Sequence, residues 1–120
     1  MREIKFKAKQ LNSGEWFEGD LVHLGNRVCI GGDNIKDGIT DVNPETVCQF
    51  TGLKDCEGNE IWEGDIVERE IWNRLYNGLT KVKGVIEYKG AEFFVAINSE
   101  TYSLYPKDIK VVSNKFDKEN

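Results

Sequence analysis

The sequence is poor in the residues that staple, ligate or span. Its 120 residues hold three cysteines, at 29, 48 and 56, one histidine and two prolines. An odd cysteine count with no Cys-x-x-Cys and no histidine pair supplies neither a disulfide framework nor a zinc ligand set. No apolar run approaches the roughly 20 residues of a membrane-spanning helix. The opening Met-Arg-Glu-Ile-Lys-Phe-Lys lacks the apolar stretch of about 7–15 residues that a secretory signal needs. A reduced protein of the cytoplasm, with no membrane partner, is the expectation. Excess positive charge is missing too: 21 acidic against 16 basic side chains leave a net charge of −5, which repels phosphate backbones unless the lysines cluster. Gly31-Gly32 is followed by no Gly-Lys-Ser/Thr, and the acidic loop at Asp33, Asn34 and Asp37 lacks the ligand spacing of an EF-hand. No metal and no cofactor are expected.

What is present is a globular composition, 39% apolar and 31% charged, in a chain long enough to bury roughly two thirds of its extended surface. One domain over 1–120 is expected. Ile4-Lys-Phe-Lys-Ala8 alternates with the period of a half-buried strand. Asn12-Ser13-Gly14 reads as a turn, and a second strand runs through Gly19-Asp20 into Leu21–Leu24 by a glycine-permitted kink or bulge. Arg27–Ile30 is a short third strand, and residues 31–38 are rich in turn formers. Pro44 suits a tight turn or one turn of 3₁₀ helix before Cys48–Phe50 extends again. Asp55–Gly58 is a hairpin turn, residues 60–67 are strand-like, and 84–88 with 91–97 form a hairpin about Lys89-Gly90. The stretch 68–79 admits two readings. Ile71 with Leu75 and Trp72 with Tyr76 have the i, i+4 spacing of a helix, whereas Asn77-Gly78 is also a strong hairpin signal. The polar end, within a tail at 113–120, is expected to fray.

An internal echo organises these elements. Glu15-Trp-Phe-Glu-Gly-Asp-Leu-Val22 and Glu60-Ile-Trp-Glu-Gly-Asp-Ile-Val67 share five of eight positions. The two prolines sit in matching frames, Val42-x-Pro44-x-x-Val47-x-x-Phe50 and Leu104-x-Pro106-x-x-Ile109-x-x-Val112. Two related β modules follow, about 14–50 and 59–112. Gly19 and Gly64 would relieve a sharp bend, Asp20 and Asp65 would accept backbone N–H groups there, and Pro44 and Pro106 would start turns that lead into closing strands. The fold class is mainly β, a β-rich α+β chain of two small SH3-like barrel-type modules sharing a continuous core, with at most one or two short helices.

Candidate chemistry is thin. His23 stands alone in strand-like sequence with the alternation parity of Leu21, and nothing nearby marks a nucleophile or carboxylate for it to serve. Asp20 and Asp65 resemble an acid–base pair only superficially, since recurrence at one place in two modules is most simply explained by a turn. The cysteines lie in apolar strand or turn sequence, Cys56 being the most exposed candidate. Aromatic residues offer more: Trp72, Leu75 and Tyr76 fall in the segment that lengthens the second module, where they either form a partner or subunit interface or cover the open end of a barrel. Lys81 and Lys83 beside them are too few for a nucleic-acid footprint.

Three blocks together, Arg2-Glu-Ile-Lys-Phe-Lys-Ala8, Val42-Asn-Pro-Glu-Thr-Val-Cys-Gln-Phe-Thr-Gly-Leu-Lys-Asp55 and Gly58-Asn-Glu-Ile-Trp-Glu-Gly-Asp-Ile-Val67, closely resemble the YopX-like family of phage and prophage proteins. Gly84-Val-Ile-Glu-Tyr88 looks like that family's Gly-Val-Val-Glu-Tyr hairpin. The match covers nearly the whole chain, while Val111–Asp117 follows the family only loosely and 68–83 departs in length from shorter members. The resemblance implies a setting rather than a reaction: an accessory protein of phage or prophage origin in the bacterial host cytoplasm, forming homo-oligomers. The expectation is therefore a non-enzymatic interaction module that binds itself and a host or phage protein. A small nucleic-acid-associated β-barrel and an enzyme with an unrecognised site are the alternatives.

Overall fold

A computed structural model describes residues 4–117; Met1–Glu3 and positions 118–120 of the tail lie outside the described residues. Contacts divide the chain between Phe50 and Thr51 into two units, and each is built from antiparallel strands. The mostly β, two-module reading holds. Among the described residues the helical segments are three single 3₁₀ turns, Lys36–Gly38, Pro44–Thr46 and Pro106–Asp108. The first of these carries Asp37 at φ 68 and is a turn rather than a helix.

The first unit holds β1 (Phe6–Lys9), β2 (Trp16–Leu24), β3 (Arg27–Gly31), β4 (Ile39–Asp41) and the start of β5 (Cys48–Lys54), in the order β4-β3-β2-β1-β5. Strand β2 changes partner midway, pairing Trp16–Gly19 with β1 and Asp20–Leu24 with β3. Gly19 sits at that switch. A Cβ there would land on the Gly31 carbonyl oxygen, so glycine is required by the close approach of two backbones. The expectation that Asp20 caps a turn is corrected: Asp20 lies exposed inside the strand, opposite Gly31. Pro44 behaves as expected. The Asn43 Oδ1 accepts the Glu45 N–H at 3.0 Å, while Thr46 Oγ1 donates to the Asn43 carbonyl at 2.7 Å and accepts the Lys9 N–H at 2.9 Å, pinning the turn to β1. Ala8, Ile30, Ile35 and Val42 form the buried cluster of this unit. Ile35 anchors the polar 31–38 loop from inside.

The second unit continues from the rest of β5 through β6 (Glu60–Trp62), β7 (Asp65–Asn73), β8 (Gly78–Lys89), β9 (Glu92–Ile97), β10 (Glu100–Ser103) and β11 (Ile109–Asn114). Its five-stranded sheet runs β10-β9-β8-β7-β11 around Ile61, Val67, Ile86, Val95, Ile97 and Ile109. Here the Gly-Asp pair does turn the chain. Gly64 adopts φ 86 between β6 and β7, and Asp65 beneath it is buried, its Oδ2 accepting the Trp62 N–H at 2.7 Å and its Oδ1 the Asn114 side-chain amide at 3.0 Å. Asn114 in turn accepts the Phe116 N–H, and the Lys115 N–H donates to the Gly64 carbonyl. Fraying from 113 is thereby corrected for residues 113–117, which these bonds hold. Pro106 opens its 3₁₀ turn and delivers the chain into β11, as the matching proline frames imply.

The 68–79 stretch is a hairpin. Glu70 pairs Lys81, Ile71 pairs Thr80, Trp72 pairs Leu79 and Asn73 pairs Gly78. Period-2 alternation decides the outcome, because Glu70 and Trp72 are exposed while Arg69 and Ile71 are half-buried. Asn73 Oδ1 accepts the Leu75 N–H at 2.9 Å and Asn77 takes φ 49, so both asparagines serve the turn.

Candidate functional site

The β7–β8 hairpin outruns its sheet. β11 begins at Ile109 opposite Arg69, and β9 reaches β8 only as far as Val85. From Glu70 to Asn73 and from Gly78 to Lys81, the ladder is therefore two strands wide within this sheet. Its outer half carries the expected interface residues: Trp72 is 59% exposed, Leu75 90% and Tyr76 77%, joined by Leu79 at 64%. They cover no barrel end in their own unit. Leu79 escaped the sequence reading because its relevance depends on being the cross-strand partner of Trp72. That pairing is fixed by the four-residue turn, and helical spacing hides it.

The same exposed face carries charge in two rows. Glu68 and Glu70 lie on β7, and their cross-strand partners Lys83 and Lys81 lie on β8. At the root of the hairpin a 440 Å³ groove is lined by Glu70, Leu79, Lys81, Lys107 and Lys110 together with the exposed thiol of Cys56. Glu68, Arg69 and Asp108 also line it and Lys110 is itself 3.6 Å from Glu57, so three acids face four bases and no one sign of charge dominates the groove.

A buried carboxylate of the second unit serves structure. Asp55 is buried at the end of β5, where its Oδ1 accepts the N–H groups of Glu57 at 2.9 Å and Asn59 at 2.8 Å, and its Oδ2 accepts the Val111 N–H at 2.8 Å and the Asn59 amide at 3.3 Å. Burial alone would raise its pKa, yet the three backbone donors and the amide outweigh that and hold the carboxyl below the ordinary aspartate range. In the first unit, Asp41 Oδ1 accepts Arg27 Nε at 3.0 Å, Arg27 Nη2 at 2.7 Å and the Cys29 Sγ at 3.1 Å. The hydrogen bond to Asp41, then burial, push the Cys29 thiol up. That is the opposite of an activated nucleophile.

The remaining sequence candidates disperse. His23 is exposed near the end of β2, opposite Val28, while Leu21 of the same parity is half-buried. Asp20 and Asp65 belong to different units, one on a strand surface and the other in a buried turn network. Cys29 and Cys48 are buried and Cys56 is exposed. Among the described residues, no three His, Cys, Asp or Glu side chains gather as a metal site would require, and no helix is long and apolar enough to cross a membrane.

Residues 5–116 match the family model described as YopX protein. No curated protein matches the chain.

Proposed function

Since the chain belongs to the YopX family, matched over residues 5–116, we propose that it is a phage-type accessory protein of the bacterial cytoplasm, acting as a non-enzymatic, self-associating protein-interaction module. The observation that carries this reading is the projecting tip with Trp72, Leu75, Tyr76 and Leu79 in solvent. Tryptophan and tyrosine are the residues most enriched at binding hot spots. At about 150–250 Å² per aromatic side chain, the exposed fractions of Trp72 and Tyr76 amount to roughly 200–340 Å² of largely apolar surface. That is comparable to the patches that mark contact sites on soluble proteins. Capture from host lysate tests it: tagged wild-type protein retains a stoichiometric protein partner, and the Trp72→Ser/Tyr76→Ser double variant, folded with an unchanged melting temperature, loses it. Equal capture by both proteins refutes the assignment of the tip.

One feature favours a second reading. Lys7 and Lys9 of β1 lie 4.7 and 5.3 Å from the Trp16 ring, a small basic and aromatic strip of the kind that stacks single-stranded nucleic acid. That reading requires steeply salt-dependent binding. Absence of binding to single-stranded DNA or RNA at low salt eliminates it.

A further inference from the structure

A two-stranded ribbon is marginal by itself in water; added strands or packing against another layer make it stable. The Glu70–Asn73/Gly78–Lys81 ribbon has no further strand of its own sheet on either side, yet presents an exposed Trp72–Leu79 pair on one face. That face is laterally polarised, with acids on β7 and bases on β8. Turned about an axis parallel to its strands and laid on itself, it sets the β7 row over the β8 row. Glu70 then meets Lys81, and Trp72 meets Leu79. The packing distance between stacked sheets, about 10 Å, is one that a Trp–Leu layer contributed from both sides fills. An unrelated partner would have to match both rows, whereas a second copy of the chain does so by symmetry.

We propose that the ribbon is a self-docking arm: two copies stack their β7–β8 arms face to face, Trp72 of each on Leu79 of the other, with Glu70 and Lys81 pairing across the two-fold axis. This rests on the interaction-module reading and specifies one of its partners, the chain itself. The contact is small. Trp72 supplies roughly 180–300 Å² over both copies by the per-residue areas above, and Leu79 adds to this. The total lies well below the roughly 1,200 Å² of stable interfaces. Association through this face alone is therefore concentration-dependent and rapidly reversible.

A charge exchange across the axis tests the arrangement. Glu70→Lys presents lysine on both rows, and Lys81→Glu presents glutamate on both, so each variant alone opposes like charges in its own dimer. Mixed one to one, the two variants restore opposite charges at both contacts. Sedimentation velocity at low salt should show each single variant self-associating about tenfold or more weaker than wild type. The mixture should return to within about threefold of wild type, with circular dichroism unchanged throughout. Single variants that associate as well as wild type, or a mixture no better than its components, overturn the face-to-face arm. If Trp72→Ser still abolishes partner capture in that case, the interaction-module reading stands without it. A wild-type protein that stays monomeric across the concentration range overturns self-docking outright, and loss of capture in the lysate experiment separately decides the wider reading.

Discussion

Asp55 offers the sharpest test of what holds the second unit together, because one buried carboxylate ties the β5–β6 turn to β11, more than fifty residues away in sequence. Replacing it with alanine removes the acceptor for three backbone N–H groups. Those of Glu57 and Asn59 lie in an exposed turn and recover water, so each costs about the net value of a hydrogen bond, 0.5–1.5 kcal/mol. The Val111 N–H is half-buried in the strand and loses a charge-assisted bond with less access to solvent, about 1–3 kcal/mol. Asp55→Ala should therefore lower stability by roughly 2–6 kcal/mol, a large part of the 5–15 kcal/mol typical of a domain. Asp55→Asn can keep an oxygen toward the turn only by aiming its NH₂ at the Val111 N–H, and so should lose about half as much. Urea unfolding followed by tryptophan fluorescence measures both. The acid dependence follows from the sign of the shift: a carboxyl whose folded pKa lies below its unfolded value of 3.8 contributes stability above that value and loses it as pH falls through the folded one. Wild type and Asp55→Asn should therefore converge in stability below about pH 3.8. A cost under about 1 kcal/mol for Asp55→Ala, or a gap that widens in acid, would refute the account.

Three further outcomes follow from packing and exposure. A Cβ at Gly84 would stand 2.6 Å from Val95 Cγ1, 2.8 Å from Ile97 Cγ1 and 2.9 Å from the Ala96 oxygen, so Gly84→Ala should cost about 1–3 kcal/mol in chemical denaturation; a neutral result contradicts the close packing of β8 on β9. Gly19→Ala should destabilise the first unit more than Gly84→Ala does the second, because the nearest obstructing atom at Gly19 is the backbone carbonyl oxygen of Gly31, whereas at Gly84 it is the Val95 side chain, with the Ala96 oxygen farther off; unfolding curves that rank them the other way contradict this. In native protein one thiol per chain, Cys56, should react quickly with an aromatic disulfide reagent, and Cys29 and Cys48 only after unfolding; a thiol-modified peptide at Cys29 in native protein contradicts its burial.

The fold was legible wherever a local signal and the tertiary answer coincide. Alternation at Ile4–Ala8 gave β1, the prolines at 44 and 106 gave one-turn entries to β5 and β11, and Gly64-Asp65 gave a turn with its aspartate turned inward. The echo at Gly19-Asp20 misled in detail. The same tetrapeptide, Glu-Gly-Asp followed by an aliphatic residue, turns the chain where Asn114 waits to receive the aspartate and stays extended where β1 and β3 pair it on either side of the switch. The glycine is needed in both places, for a positive φ at 64 and for a backbone contact at 19. Composition alone does not distinguish those two needs.

The candidate site was half legible, and the reason is physical. Trp72, Leu75 and Tyr76 stood out as apolar residues in an added segment, but helical and strand spacings both bring aromatics together there, and only the pairing register decides which face they share. Register in a hairpin is set by its turn, and this turn depends on Asn73 capping the Leu75 N–H and Asn77 entering the left-handed region, choices that i, i+4 counting does not register. Once the register is fixed, Leu79 joins Trp72, and the lysines at 81 and 83, too few to mark a nucleic-acid surface, become the counterparts of Glu70 and Glu68. These four charges therefore acquire a direction, acid on one strand and base on the other.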